Sequence, residues 1–367
     1  MQDLTIAIVG ATGAVGTELI RIIEQRHPKL RRIKLLASRR SAGKRLTVNG
    51  RELVVVETSD GSFNGVDIAF ISVSTEVSRR LAPVAVAAGA VVIDDSSAFR
   101  MQPEVPLVVP EVNGADVAWH QGIISIPNCS TTPVVMAGYP LHRANPIRRI
   151  TAATYQSVSG AGAAAMTELR QQSRTVLEGG RAKPAALPKQ IAFNVIPQID
   201  SFLPSGYTRE EQKMSDETRK ILHAPEISVS ATCVRVPVSV CHSAALHVEF
   251  ARPMPPAEAR ELLAAMPGVR VLDDPDQGEY PMPWDMAGAD DVFVGRIRQD
   301  QSHPNGLALW VVSDNLRKGA ALNALQIAEE LVRRDCLRPR RCGSASPRIV
   351  SIPSVWLVGS EERGTKT

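Results

Sequence analysis

Seven residues near the start of the chain, Gly10-Ala-Thr-Gly13-Ala-Val-Gly16, constrain its fold more than any other feature. They follow an apolar run from Leu4 to Val9 that is rich in β-branched residues, and Val15, Leu19, Ile22 and Ile23 then recur at helical spacing. Strand, tight glycine turn and helix, in that order, is the context in which a GxxGxxG spacing, a looser variant of GxGxxG, holds a dinucleotide. The glycines let the backbone turn sharply and approach a pyrophosphate, whose charge faces the N–H groups at the helix N-terminus. An ordinary strand-to-helix turn is the alternative. Gly10, Thr12, Gly13, Ala14, Val15 and Gly16 are candidate cofactor contacts.

Short apolar runs recur at Ile33 to Ala37, Val66 to Val73, Ala90 to Ile93 and Gly122 to Ile126, with helix-like segments such as Glu76 to Ala88 between some of them. That pattern predicts a parallel sheet covered on both faces, a Rossmann-type doubly wound α/β unit over residues 1–127. Beyond Pro127 the pattern changes. Strands are predicted at Ile150 to Val158, Ile227 to Val240, Ala244 to Phe250 and Leu307 to Val312, with a helix at Ala163 to Leu177 and a Pro/Gly-rich stretch from Gly179 to Ser205. Grouped strands with fewer helices read as an α+β domain with a mixed or antiparallel sheet. Leu316 to Arg334 is a further predicted helix. Residues 336–367 read as a variable tail with one added strand at Val350 to Val358.

The end of the second strand chooses between nicotinamide cofactors, because a carboxylate there holds a ribose hydroxyl and an arginine accommodates a 2′-phosphate. Here it reads Ser38-Arg39-Arg40-Ser41 with no carboxylate from Ala37 to Lys44, which points to NADP; a solvated basic turn is the alternative. Net charge is only +4 and aromatics are 4%, which argues against nucleic acid. Five scattered cysteines make neither a disulfide framework nor a zinc pattern, and no apolar stretch is long enough to span a membrane, so the expected compartment is the reducing cytosol. His247-Val-Glu249 lacks the PCxxC that would make it a zinc motif, and no metal is expected.

Cys129 lies in Pro127-Asn-Cys-Ser-Thr-Thr, at the junction of the two predicted units and just before a helix, where the helix dipole would favour its thiolate. An inert buried cysteine is the competing reading.

At this point the chain resembles the bacterial aspartate-β-semialdehyde dehydrogenases. GATGAVG at 10–16, SRRSAGK at 38–44, FRMQPEVPLVVPEVN at 99–113, PNCSTT at 127–132, TYQSVSGAG at 154–162, EEQKMSDETRKIL at 210–222, ATCVRVPVSVCHS at 231–243 and LWVVSDNLRKGAALNALQIAEEL at 309–331 stand in family order. The resemblance implies Cys129 as nucleophile, His242 as acid/base and Gln156 as the residue orienting substrate. It implies Arg235 and Glu210 as the grips on the substrate α-carboxylate and α-amine, and Arg100, Asn128 and Lys213 as the phosphate site. Ser159, Gly160 and Asn315 would join Ser38, Arg39, Arg40, Ser41 and the glycine turn at NADP. The resemblance further implies that residues 314–335 return to the nucleotide-binding domain of residues 1–127. Residues 128–313 would form a catalytic and dimerisation domain, giving a homodimer or a tetramer. Asp95, where the family commonly has Asn, and Cys241, where a small Gly or Ala is usual, are expected to leave the core set untouched; Ile71 to Thr75 lacks the family's glycine turn.

The residue types suit the chemistry that the resemblance implies: a thiolate adds to an aldehyde, hydride leaves, and phosphate opens the thioester. The substrates would be L-4-aspartyl phosphate, L-aspartate-4-semialdehyde and inorganic phosphate. Two alternatives are an N-acetyl-γ-glutamyl-phosphate reductase, which needs no carboxylate for a free amine, and a non-catalytic NADP-binding relative.

Overall fold

The computed structural model describes residues 1–337. The chain opens with β1 (Thr5–Val9), α1 (Ala14–Arg26) and β2 (Arg32–Ala37), then a hairpin of β3 (Arg45–Val48) and β4 (Arg51–Val54), and the short β5 (Val56–Glu57). There follow β6 (Ile68–Ile71), α2 (Thr75–Ala87), β7 (Val91–Asp94), α3 (Pro110–Asn113) and β8 (Ile123–Ser125). Six of these strands form one parallel sheet in the order β5-β2-β1-β6-β7-β8.

The near-continuous burial of these strands comes from cover on both faces, with the two-residue period sending alternate side chains into different cores. Ile6, Ile8, Ile68 and Phe70 share one buried cluster with Ile22 and Ile23 of α1. Ala7, Val9, Ala69 and Ile71 share another with Leu81, Ala82 and Ala85 of α2. Strand order reverses beside β1, and the crevice outside the carboxyl ends at such a switch point is where α/β sheets bind ligands.

The second half contains α4 (Thr131–Ala144), β9 (Ile147–Gln156), α5 (Ala163–Leu177), α6 (Arg209–Ile221), β10 (Ser228–Arg235), β11 (His242–Phe250), α7 (Pro256–Ala264), β12 (Val269–Val271), α8 (Pro283–Met286), β13 (Val292–Gln299) and β14 (Gly306–Ser313). Its sheet is mixed, in the order β10-β9-β11-β14-β13-β12: β10 runs parallel to β9, while β11 and β14 run antiparallel to their neighbours. Ile150, Ala152, Leu246, Val248 and Leu309 pack one face against Val134 and Leu141 of α4, Met214 of α6 and Leu263 of α7. The other face carries Ala153, Tyr155, Ala245 and Trp310, with the Tyr155 and Trp310 rings 5.4 Å apart.

Two expectations change. The strand expected over Ile227 to Val240 ends at Arg235, and the chain then turns through Cys241, at φ +73°, to restart as β11. The helix expected over Leu316 to Arg334 begins as one π-helical turn, Arg317–Ala321, before α9 (Leu322–Arg333). That first turn is crowded: a Cβ on Gly319 would lie 2.9 Å from Cys129 Cβ. Leu325, Ile327 and Leu331 of α9 then fill the same core as Ile6 and Ile22. The strand expected at Val350 to Val358 lies outside the described residues.

Candidate active site

Strand ends from both sheets converge on one cavity of about 370 Å³. From the parallel sheet come Asp95 after β7 and Asn128 and Cys129 after β8. The mixed sheet contributes the end of β9 (Gln156), the end of β10 (Arg235, paired with Gln156 in register), the start of β11 (His242) and Asn315 just beyond β14. Helix α6 adds Glu210 and Lys213. Its N-terminus is set by a capping box, in which Thr208 Oγ1 accepts from Glu211 N at 3.3 Å and Glu211 Oε2 accepts from Thr208 N at 2.6 Å.

Cys129 sits two residues ahead of α4 on a turn whose hydrogen bonds are largely made by Asn128. The Asn128 carbonyl accepts from Thr131 N at 2.9 Å and Thr132 N at 3.0 Å, and its Oδ1 accepts from Ser130 N at 3.1 Å. Asn128 N donates to Glu217 Oε2 at 2.7 Å, and Glu217 Oε1 accepts from Arg100 Nη1 at 3.0 Å. The buried Arg100 Nε has no partner among the described residues, which leaves that guanidinium a spare donor. Cys129 Sγ lies 3.3 Å from His242 Nε2.

The expected lowering of the thiol by the helix dipole is reversed. Burial, with the charges of Glu210 and Asp95, pushes Cys129 up to about 12 against the pull of Arg235 and Arg100. Burial and Arg235 push His242 down to about 3. Desolvation outweighs a helix terminus that faces the sulfur only from two residues away, so the resting pair is neutral thiol and neutral imidazole. Proton transfer between them waits for the sulfur to attack.

Glu210 is buried, which alone would raise it, yet Lys213 and the Gln156 amide hold it below the usual carboxylate range. Gln156 Nε2 donates to Glu210 Oε1 at 3.0 Å, and Lys213 Nζ reaches Glu210 Oε2 at 3.3 Å and Asp200 Oδ2 at 2.9 Å. Arg235 Nη1 donates to Ser157 O at 2.8 Å. A Cβ on Gly160 would come within 3.0 Å of Arg235 Nη1 and 3.1 Å of His242 Nε2, so a side chain there would press on both site residues.

Of the two departures expected to leave the core set untouched, Asp95 lines the cavity, and its carbonyl accepts from Arg100 Nη2 at 2.8 Å. Cys241 meets the set through its backbone, whose N donates to Asn315 Oδ1 at 3.0 Å. The sequence reading missed Ser157, Glu217 and Asp200. Glu217 had a signal: with Glu210 and Lys213 it completes an i, i+3, i+7 face of α6.

The residues named for the cofactor fit a dinucleotide. Gly10 is at φ +87°, and a Cβ there would stand 2.2 Å from Ser72 O, so nothing else fits this turn. Gly13 caps α1 without a side-chain bond, which leaves the first-turn N–H groups of Ala14, Val15 and Gly16 for an anion. Thr12 Oγ1 donates to Ser41 Oγ at 3.1 Å, tying this turn to the end of β2, where Ser38, Arg39 and Arg40 are exposed. Val15, Ser159, Gly160 and Asn315 line the catalytic cavity itself.

Residues 5–120 match the family model for the semialdehyde dehydrogenase NAD binding domain, and residues 139–318 match that for the semialdehyde dehydrogenase dimerisation domain. The chain is 52% identical to an aspartate-semialdehyde dehydrogenase of Synechocystis over 92% of this chain and 99% of the relative. It is 50% identical to that of Bacillus subtilis over 90% and 98%. Among solved structures, aspartate semialdehyde dehydrogenase II of Vibrio cholerae complexed with ASA superposes with a TM-score of 0.88 at 45% identity, covering 91% of this chain and 99% of the other. The Candida albicans enzyme with NADP superposes with a TM-score of 0.72 at 28% identity, covering 91% and 99%. With the thiol–imidazole pair, the glycine turn and both sheets in place over the matched length, the chain belongs to the aspartate-semialdehyde dehydrogenase family.

Proposed function

We propose that the chain interconverts L-4-aspartyl phosphate and L-aspartate-4-semialdehyde with NADP, in the biosynthesis of lysine, methionine and threonine. The contact of 3.3 Å between Cys129 Sγ and His242 Nε2 carries this reading, because it puts a nucleophile and its base in reach of each other inside a cavity lined with fixed charges.

In the oxidative direction His242 takes the Cys129 proton as the sulfur adds to the aldehyde carbon, giving a thiohemiacetal. When bound, NADP supplies hydride transfer to and from that carbon. As that carbon is oxidised to the thioester level its hydroxyl proton returns to His242; phosphate then opens the thioester, and the departing thiolate recovers its proton from His242. Arg235, whose guanidinium borders the cavity, is placed to grip an α-carboxylate, and Glu210, ionised, to meet an α-ammonium group. Arg100, Asn128 and Lys213 form the phosphate subsite; Lys213 is held in its charged form by Glu210 and Asp200 despite burial. Gln156, hydrogen-bonded to Glu210, orients the substrate beside the sulfur.

On this reading residues 1–127 with 314–335 form the NADP-binding domain and 128–313 the catalytic one. Homodimerisation is assigned to the outer face of the mixed sheet, where Tyr155 is 41% exposed beside Trp310. Among the described residues no helix is long and apolar enough to cross a membrane, and a cytoplasmic location accords with the free cysteines.

The test follows NADP reduction by absorbance with aspartate semialdehyde, with and without phosphate, beside Cys129→Ala. Phosphate-dependent turnover that disappears in the variant is the expected result. No turnover in folded, NADP-binding protein would overturn the proposal.

A further inference from the structure

The His242 ring is buried and neutral across the working range, so its protonation state does not decide whether it serves as a base. What decides is which nitrogen carries the single ring proton. Nε2 must offer a lone pair to the Cys129 thiol, and the proton must then sit on Nδ1.

Two groups of one residue meet Nδ1, and they make different demands. Ser157 N lies 3.1 Å away and, as an N–H, can only donate, which favours a lone pair on Nδ1 and a proton on Nε2 pointing at the sulfur. Ser157 Oγ lies 3.0 Å away and can accept. Its own proton has two acceptors away from the ring, Asn315 Oδ1 at 3.1 Å and Ser159 Oγ at 3.0 Å. The orientation of that amide is set by a backbone group: Cys241 N donates to the same oxygen at 3.0 Å, so this atom is the carbonyl oxygen. Ser159 Oγ donates there too, at 3.0 Å. With its proton turned to Asn315 or Ser159, the Ser157 hydroxyl presents a lone pair to Nδ1–H. Ser157 is fully buried, so no water competes for the role.

We propose that Ser157, held by Asn315, is a positioning residue that selects the catalytic tautomer of His242, its hydroxyl accepting from Nδ1–H so that Nε2 faces the Cys129 thiol as a base. The thiol proton passes from Sγ to Nε2 while the C–S bond forms and the carbonyl π bond opens; Nε2–H then protonates the new alkoxide oxygen. Throughout, the Nδ1 proton stays on the hydrogen bond to Ser157, and nothing is oxidised in this step. Without the hydroxyl, only the Ser157 N–H would remain at Nδ1, and it holds the tautomer that cannot accept the thiol proton.

The proposal rests on Cys129 being the nucleophile, but its test needs no substrate. In protein labelled with 15N-histidine, the His242 resonances, assigned by their loss in His242→Asn, should show a protonated Nδ1 and a bare Nε2. Ser157→Ala should exchange the two patterns, slow iodoacetamide alkylation of Cys129 at least tenfold, and lower kcat by about 100-fold, the scale of general-base catalysis, with KM for aldehyde and phosphate within threefold. Ser157→Thr, which keeps the hydroxyl, should restore the wild-type pattern. A bare Nδ1 in the wild-type spectrum would overturn the proposal even if the alanine variant failed to fold. So would an alanine variant with the wild-type tautomer and alkylation rate. Wild-type tautomer as proposed with no turnover on aspartate semialdehyde would instead remove the substrate assignment and leave this one standing.

Discussion

Replacing Asp95 by Asn tests the electrostatic reading of the cavity. Asp95 is buried, with Ser72 Oγ donating to its Oδ2 at 2.7 Å, and burial pushes its carboxyl up to about 6 from an ordinary 3.8 despite that bond and the nearby Arg100. The remaining charges about it are Asp94, which raises it further, and Glu210 across the cavity. Because the folded-state value lies above the unfolded one, the native protein holds this proton more tightly than the unfolded chain does. The stability cost of the ionised carboxyl is therefore absent well below pH 3.8, grows as pH rises towards 6, and is complete above it. At about 1.4 kcal/mol per pKa unit, the full cost is about 3 kcal/mol. Asn keeps an acceptor for Ser72 and carries no charge. Urea unfolding should find Asp95→Asn more stable by about 3 kcal/mol at pH 8 and by roughly half that at pH 5, with a thermal midpoint about 4 °C higher at pH 8. The same change removes a negative charge that raises the Cys129 thiol, so alkylation should quicken at pH 8. A gain equal at both pH values, or a loss at pH 8, would refute the argument.

Two further outcomes follow from the nucleotide site. Gly10→Ala forces a Cβ to within 2.2 Å of Ser72 O at a left-handed φ, so it should cost several kcal/mol of stability on the scale of backbone strain and abolish NADP binding; chemical denaturation and fluorescence titration check both. Arg39→Ala with Arg40→Ala should raise the KM for NADP by roughly 10- to 100-fold, the worth of one or two charged hydrogen bonds, and leave that for NAD within twofold. Equal losses for the two cofactors would show that the pair does not read a 2′-phosphate.

The nucleotide-binding half was legible because local rules and global fold agree there: β-branched runs, a turn only glycine can make, and helices at a 3.6-residue period. The mixed sheet was harder. Val292–Gln299 was not expected as a strand, and the strand expected to Val240 stops at Arg235 because the chain must turn to bring His242 back beside Gln156 and Arg235. The catalytic positions came from motif order, whereas their energetics did not. Cys129 stands before a helix, as expected, yet its thiol is raised, first by burial and then by Glu210 and Asp95, which are distant in sequence. Ser157 lay inside a quoted motif without a role of its own: a serine after a strand is ordinary until Asn315, from the far end of the chain, and Ser159 offer acceptors for its proton.

The placement of α9 has a consequence for synthesis. Ile6, Ile8, Ile22 and Ile23 share their buried cluster with Leu325, Ile327 and Leu331, residues synthesised long after them. At roughly 5–20 residues per second, the emerging first half waits on the order of 10 to 40 s with that face uncovered. During this interval the nascent chain presents a greasy surface to the cell, and a ribosome stalled anywhere before α9 would release a polypeptide unable to seal its first sheet.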